Sequence, residues 1–160
     1  SLKNGKMWGM ITTIAIGKKH EKWVLNGIEL FEKRLKKPFN LSWDILPHSN
    51  FAEEKAREEE TQRILAKIKP SDFVILLDER GKNISSPEFA KIFSNGFVNS
   101  QNFVIVIGGA FGVSEDLRQR ANFVWSLSKL VFPHQIVRLI LVEQIYRAQE
   151  ISSGGKYHHE

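Results

Sequence analysis

Phe103-Val104-Ile105-Val106-Ile107-Gly108-Gly109-Ala110-Phe111-Gly112 decides the fold class of this chain. The five apolar residues that open it leave no polar face, so the segment reads as a strand covered on both sides, the mark of a parallel sheet. The run then breaks into three glycines within five residues. Glycine has no Cβ, tolerates positive φ and lets a ligand approach main chain, which makes the turn a candidate ligand site. In open α/β sheets ligands bind beyond the carboxyl ends of strands, where this turn would lie.

Working outward, strand and helix alternate. Met10 to Ile16 is a β-branched run closed by Gly17, and His20 to Leu35 places Trp23, Ile28, Phe31 and Leu35 at near-helical spacing. Phe39 to Leu46 reads as a second strand ending at Pro47, followed by a charged helix over Phe51 to Lys69 with Ile64, Leu65 and Ile68 on its buried side. Phe73 to Leu77 is a short apolar strand, Asp78 to Ser86 a polar loop, and Ser86-Pro87 opens a helix through Phe93, with proline in the first turn where no N–H is needed. A helix near Ser114 to Asn122, a short strand at Trp125 to Ser128 and a long helix over Gln135 to Gln149 complete the pattern. The expected fold class is α/β, a parallel sheet flanked by helices. With 160 residues, 42% of them hydrophobic, the chain fits a single domain over residues 10–160, and residues 1–9 read as an N-terminal extension or an expression remnant.

Composition narrows the chemistry. There is no cysteine, which excludes disulfides, thiolate nucleophiles and Cys-based zinc sites and is compatible with a reducing cytoplasm. A net charge of +5 and a pI near 9.5 favour a polyanionic partner. No apolar run approaches the roughly 20 residues that span a bilayer, and no signal-peptide pattern opens the chain, so a soluble, cytoplasmic protein without membrane contact is expected. The five histidines have no ligand spacing, so no metal is expected. Gly108-Gly109-x-x-Gly112 is not the dinucleotide fingerprint, and no G-x-S-x-G elbow supports a hydrolase. The acidic run Glu53 to Glu60, interleaved with Lys55 and Arg57, is better explained by i,i+4 pairing on a solvated helix than by a metal or catalytic cluster.

The last third supplies the rest of the candidate pocket. In Ser126-Leu127-Ser128-Lys129-Leu130-Val131-Phe132-Pro133-His134, serines alternate with apolar residues until a proline stops the run, so main-chain donors and acceptors form a second wall. Leu76-Leu77-Asp78 ends another strand, bringing three segments to one crevice. The final helix carries Ile136, Val137, Leu139, Ile140, Leu141, Val142 and Ile145, more than one apolar stripe. That excess fits either a fully buried core helix or a helix shared with a second copy in a homodimer. On residue type alone, Tyr157-His158 reads as a disordered end.

Ile14-Ala15-Ile16-Gly17-Lys18, Glu60-Thr61-Gln62-Arg63-Ile64-Leu65, Leu77-Asp78-Glu79-Arg80-Gly81-Lys82, Ser85-Ser86-Pro87, Ile107 to Gly112, Ser126 to His134, Arg138, Glu143 to Ala148 and Tyr157-His158 together resemble the RlmH-type family of the SPOUT superfamily. These are methyltransferases acting on N3 of a pseudouridine in large-subunit ribosomal RNA, and the resemblance runs from about Met10 to Glu160. It implies an α/β-knot fold with a C-terminal trefoil knot, and an S-adenosylmethionine pocket at Leu77, Gly108, Leu127, Ser128, Lys129, Leu130, Val131 and Phe132. It implies 23S ribosomal RNA within the ribosome as partner, and a homodimer in which the tail of one subunit completes the pocket of the other. His158, and after it His134, are the candidate proton acceptors for N3, because imidazole titrates near neutrality. Tyr157 would stack on or orient the base, and Arg138 and Arg147 would hold RNA phosphate unless they form plain ion pairs. Where the family commonly places a Lys or Arg after Tyr-His, this chain has His159 and Glu160. A SPOUT enzyme acting on another RNA and a non-catalytic RNA-binding dimer remain the alternatives.

Overall fold

The computed structural model describes residues 2–3, 6–7 and 10–159, the first four as backbone. The rest of the 1–9 extension, and Glu160 with its departure from the family pattern, lie outside the described residues. Strands β1 (Leu2–Lys3) and β2 (Lys6–Met7) pair with each other antiparallel. The main sheet is parallel throughout, with order β4-β3-β6-β5-β7. In chain order its elements are β3 (Ile11–Ile16), α1 (Lys22–Glu32), β4 (Leu41–Leu46), α2 (Glu53–Leu65), β5 (Phe73–Lys82), α3 (Ser86–Val98), β6 (Phe103–Ile107), α4 (Glu115–Arg120), β7 (Phe123–Trp125) and α5 (His134–Ser152).

β6 is the central strand of this sheet, and each of its five residues is buried. Its alternate side chains serve two cores, as the period of two requires. Phe103, Ile105 and Ile107 join Ala15, Ile75, Phe89, Phe93, Leu141 and Ile145 on the α3 and α5 side. Val104 and Val106 join Ile14, Leu76, Ile64 and Leu117 on the α2 and α4 side. Ala15 and Leu77 are both level with Ile107, so the chain leaves β3, β5 and β6 at one end of the sheet. α3 starts on a capping box, with Ser85 Oγ accepting from the Glu88 N–H and Glu88 Oε1 accepting from the Ser85 N–H, each at 3.2 Å.

Several expected elements change length. Asp78 to Lys82 is not a loop: it continues β5, with Lys82 paired to Trp125 past a register shift and the Ser126 N–H bonded to the Lys82 carbonyl at 3.0 Å. The residues are polar because they overhang the core, and ladder hydrogen bonds do not depend on side-chain type. Close approach also sets Gly81, where a Cβ would stand 2.6 Å from the Val124 carbonyl oxygen. β7 lies at Phe123–Trp125, earlier than expected, and residues after Trp125 leave the sheet. α3 runs on to Val98, whereas α1 stops at Glu32 and buries Val24 and Ile28, while Trp23, at the near-helical spacing of the sequence pattern, is 53% exposed. α2 spans Glu53–Leu65 with Leu65 and Ile68 only partly buried. α5 packs against α1 through Val142 and Leu139 and against the main core through Leu141 and Ile145, leaving Ile136 and Ile140 partly exposed. Among the described residues no helix is long and apolar enough to cross a membrane.

Candidate functional site

A cavity of about 500 Å³ opens where β5, β6 and β7 end and α5 begins. Its floor and walls are Leu77 to Arg80, Ile107 to Val113, Trp125, Leu127, Ser128, Leu130 to Phe132, His134 and Val137. The glycine turn forms one wall. The Gly112 N–H bonds to the Gly109 carbonyl at 3.0 Å, and Gly112 takes φ +77, a conformation that favours glycine. α2 clamps the turn from behind: Arg57 Nε donates to the Phe111 carbonyl at 3.0 Å, and Thr61 Oγ1 accepts from the Ser114 N–H at 2.9 Å. Between these two, Glu60 is only 2% exposed, accepts the Ser49 N–H on Oε2 at 2.8 Å, and directs Oε1 at Gly109. A Cβ on Gly109 would lie 2.5 Å from that oxygen. At Gly108 the nearest obstacle to a Cβ is Val113 Cγ1 at 2.8 Å, so packing inside the turn, before any ligand, requires glycine there.

The second wall is irregular backbone stabilised by its own serines. Ser126 Oγ donates to the Ser128 carbonyl at 2.9 Å and Ser128 Oγ accepts from the Leu130 N–H at 3.0 Å, local bonds that replace ladder partners. Asn83 Nδ2 anchors the Ser126 carbonyl at 2.7 Å. Leu130 and Val131 stand at the rim 68% and 79% exposed, an apolar lip. Lys129 is exposed and, unlike its neighbours, does not line the cavity. The charged pole of the site is Asp78, which sequence reading placed at a strand end without a role; Arg118 Nε lies 3.0 Å and Arg80 Nη2 3.1 Å from its carboxylate. The signal was its position directly after Leu77.

His134 is the first residue of α5 and lines the cavity. Burial lowers its pKa below the usual 6.5, and the Arg138 and His48 charges act in the same direction, against a smaller opposing effect of Glu60. It is therefore neutral at pH 7 and able to accept a proton.

The chain end is ordered, contrary to the expectation from residue type. Tyr157 Oη donates to Glu143 Oε1 at 3.0 Å, and Arg147 reaches the same oxygen with Nη2 at 2.7 Å. Arg147 also lies 4.7 Å above the Tyr157 ring and donates from Nη1 to His158 Nδ1 at 3.1 Å. Because guanidinium can only donate, His158 carries its proton on Nε2. Burial and the Glu143 bond raise the Tyr157 pKa, which keeps the phenol protonated. Tyr157, His158 and Arg147 thus form one cluster on α5, and none of them lines the cavity of its own chain. Arg138 is more firmly sequestered: 1% exposed, it donates from Nη1 to the Lys18 carbonyl at 2.8 Å. A guanidinium buried on a carbonyl is not placed to hold RNA phosphate, and the expectation for Arg138 is corrected accordingly. Among the described residues no group of three or more His, Asp or Glu side chains could hold a metal ion.

Residues 10–158 match the family model described as predicted SPOUT methyltransferase. The chain is 42% identical to the ribosomal RNA large subunit methyltransferase H of Carboxydothermus hydrogenoformans and 38% identical to that of Desulfitobacterium hafniense, covering 92% of this chain and 98% of each relative. Among solved structures, one described as a methylase family protein from Neisseria gonorrhoeae shares the fold with TM-score 0.54 at 11% identity, covering 95% of this chain and 87% of the other.

Proposed function

The chain belongs to the SPOUT methyltransferase family, in its ribosomal RNA large subunit methyltransferase H branch, and from that premise we propose that it transfers a methyl group from S-adenosylmethionine to N3 of a pseudouridine in 23S ribosomal RNA. The observation that carries the reading is the cavity itself. Leu77, Gly108, Leu127, Ser128, Leu130, Val131 and Phe132, the residues expected at a cofactor pocket with the exception of Lys129, meet around one space of a size suited to a nucleoside ligand. The residues fit the cofactor in kind as well. Leu77, Leu127 and Val137 offer apolar walls for a flat ring, and the irregular 127–132 backbone offers main-chain groups for its polar edge.

When bound, the cofactor supplies an already activated methyl group. What the chain must add is orientation of the base and removal of the N3 proton as the new N–C bond forms. Orientation of two reactants can be worth roughly 7 to 11 kcal/mol. For the proton, neutral His134 is the acceptor within the cavity, and the geometry favours it over His158, whose Nδ1 is engaged by Arg147 in its own chain. Tyr157, His158 and Arg147 enter the reading through a homodimer. The partly exposed Ile136 and Ile140 stripe lies on the helix whose first turn walls the cavity, so two copies paired along α5 would each lend a tail to the other's site. The C-terminal trefoil knot belongs to the same proposal, with residues 126–133, tied through Ser126 to Lys82 and Asn83, as the segment concerned. So do action on the assembled 70S ribosome and a cytoplasmic location.

The test is transfer of labelled methyl from S-adenosylmethionine to 70S ribosomes lacking the modification, followed by mass mapping of the methylated nucleotide. Methyl on N3 of a large-subunit pseudouridine is expected. Cofactor binding without transfer would assign another RNA substrate, and absence of cofactor binding would leave a non-catalytic RNA-binding protein.

A further inference from the structure

The turn between β3 and α1 is held by α5. The Gly17 N–H bonds to the Leu46 carbonyl at 2.8 Å, and from there the partners are side chains of the last helix. Arg138 Nη1 donates to the Lys18 carbonyl at 2.8 Å and faces His20 Nδ1 at 3.3 Å. Gln135 Nε2 donates to the Lys19 carbonyl at 3.3 Å, and Gln135 Oε1 accepts the Glu21 N–H at 2.9 Å. The His20 ring packs edge-on against Trp43 at 4.6 Å. Burying a guanidinium is costly unless its geometry is fixed, and here that geometry fixes a run of backbone from residue 18 to residue 21. What the fixed turn displays is Lys18, Lys19 and Lys22, all exposed and without an ion pair to any described residue. Its acidic residue, Glu21, is turned aside onto Trp23 Nε1 at 2.6 Å.

The location gives these lysines a use. Ala15 is level with Ile107, so the turn leaves the sheet at the end where Gly108 begins the cavity wall. Gln135, which grips the turn, is the residue next to His134 in the chain, and His134 lines the cavity. A second basic segment, Lys33, Arg34 and Lys36, also stands at the surface, but it leads into β4 at the opposite end of the sheet, where Leu41 is level with Ile11.

We propose that the Lys18, Lys19 and Lys22 turn, locked by Arg138 and Gln135, is a phosphate-binding rim that docks the sugar-phosphate backbone of the substrate RNA beside the cavity. This rests on the RNA methyltransferase reading above. Ammonium groups are compact charges that hold phosphate without reading sequence, so they set where the strand lies and leave the choice of base to the cavity. A turn already pinned by α5 has less backbone entropy to lose when RNA arrives. The same geometry explains why Arg138 is buried: it holds the turn that would touch phosphate.

The experiment compares Lys18→Gln/Lys19→Gln/Lys22→Gln with the matched variant Lys33→Gln/Arg34→Gln/Lys36→Gln, each of which lowers the net charge from +5 to +2. Affinity for 70S ribosomes is measured across about 50 to 200 mM salt, with methyl-transfer kinetics and S-adenosylmethionine calorimetry alongside. The turn variant should lose roughly tenfold or more in ribosome affinity, and its log–log salt slope should become shallower by about 2 to 3, near 0.7 to 0.9 for each phosphate no longer neutralised. KM for ribosomes should rise with kcat nearly unchanged, cofactor affinity should be that of the parent, and the matched variant should stay close to the parent throughout. Equal losses in both variants, or no loss in the turn variant, would overturn the proposal. Failure of the RNA reading would show separately, as a parent protein that binds cofactor but no ribosomal RNA, and the rim would fall with it.

Discussion

Gly109→Ala is the substitution for which the structure dictates the outcome most directly. The added Cβ would stand 2.5 Å from Glu60 Oε1 and 3.0 Å from Ile16 Cγ2, against 3.4 Å at which ordinary contact begins. Gly109 does not use positive φ, so the penalty is one of space and not of backbone strain. Neither neighbour has room to retreat: Ile16 is a buried β3 residue, and Glu60 is tied by its other oxygen to the Ser49 N–H. Overpacking of this kind costs about 1 to 3 kcal/mol, and two rigid obstacles put this case at about 2 to 3. For a domain of this size that corresponds to a Tm lower by roughly 4 to 12 °C. Glu60→Ala alone should cost about 1 to 3 kcal/mol, because the Ser49 N–H loses its acceptor. Together the two substitutions should cost about 1 to 2 kcal/mol less than their sum, since removal of the carboxylate opens the space the methyl needs. Urea and thermal unfolding of the parent, the single variants and the double variant measure this. Additivity within about 0.5 kcal/mol would refute the account, as would a Gly109→Ala protein as stable as its parent.

Two further outcomes follow from the titrating and tail clusters. His134 and His20 both have pKa values below 6.5, His134 through burial, Arg138 and His48, and His20 through burial and then Arg138. Folded, they bind fewer protons than unfolded, so their share of stability is intact above pH 6.5 and is lost as pH falls from 6.5 toward the lowered folded values. Tm should therefore decline below about pH 6.5 and decline less in a His20→Gln/His134→Gln variant; identical profiles would sink this reading. Arg147→Met removes the donors to Glu143 and His158 and the cation over Tyr157. Limited proteolysis should then cut residues 153–159 faster, and methyl transfer should fall by roughly a hundredfold, the scale of misplacing a reacting group by an ångström, with cofactor affinity retained. A tail as protected as in the parent would show that Arg147 does not hold it.

How much of this was legible in the chain depends on the distance over which each feature is encoded. β6 was readable within five residues because burial on both faces leaves an all-apolar run, and its bounds agree with the structure. The polar extension of β5 was not, because Asp78 to Lys82 offer no apolar run and the strand regains its partner only at Lys82, past a register shift, through main chain. The glycine turn announced itself, but its reason did not: Gly109 accommodates Glu60, 49 positions earlier, and Gly108 accommodates Val113. Arg138 showed the limit most sharply. As a basic residue on a last helix it suggested a phosphate ligand, and only the packing of α5 against the β3–α1 turn makes it a buried clamp. For the tail, residue type at a chain end argued for disorder, whereas four side chains contributed by α5 and the tail itself fasten it. The match to Tyr157-His158 in a known family pointed to order where composition could not.

The order β4-β3-β6-β5-β7 also says something about how the protein is made. The strand that joins the two halves of the main sheet is fourth of its five strands in the chain, so a nascent polypeptide that has reached residue 102 holds β3 with β4 on one side and β5 on the other, with nothing between them. Each half then presents an apolar edge whose proper partner has not yet been synthesised, the kind of edge that recruits other chains. Such a topology, dominated by pairings distant in sequence, closes late and slowly. The five residues Phe103 to Ile107 are in this sense a keystone in time as well as in space.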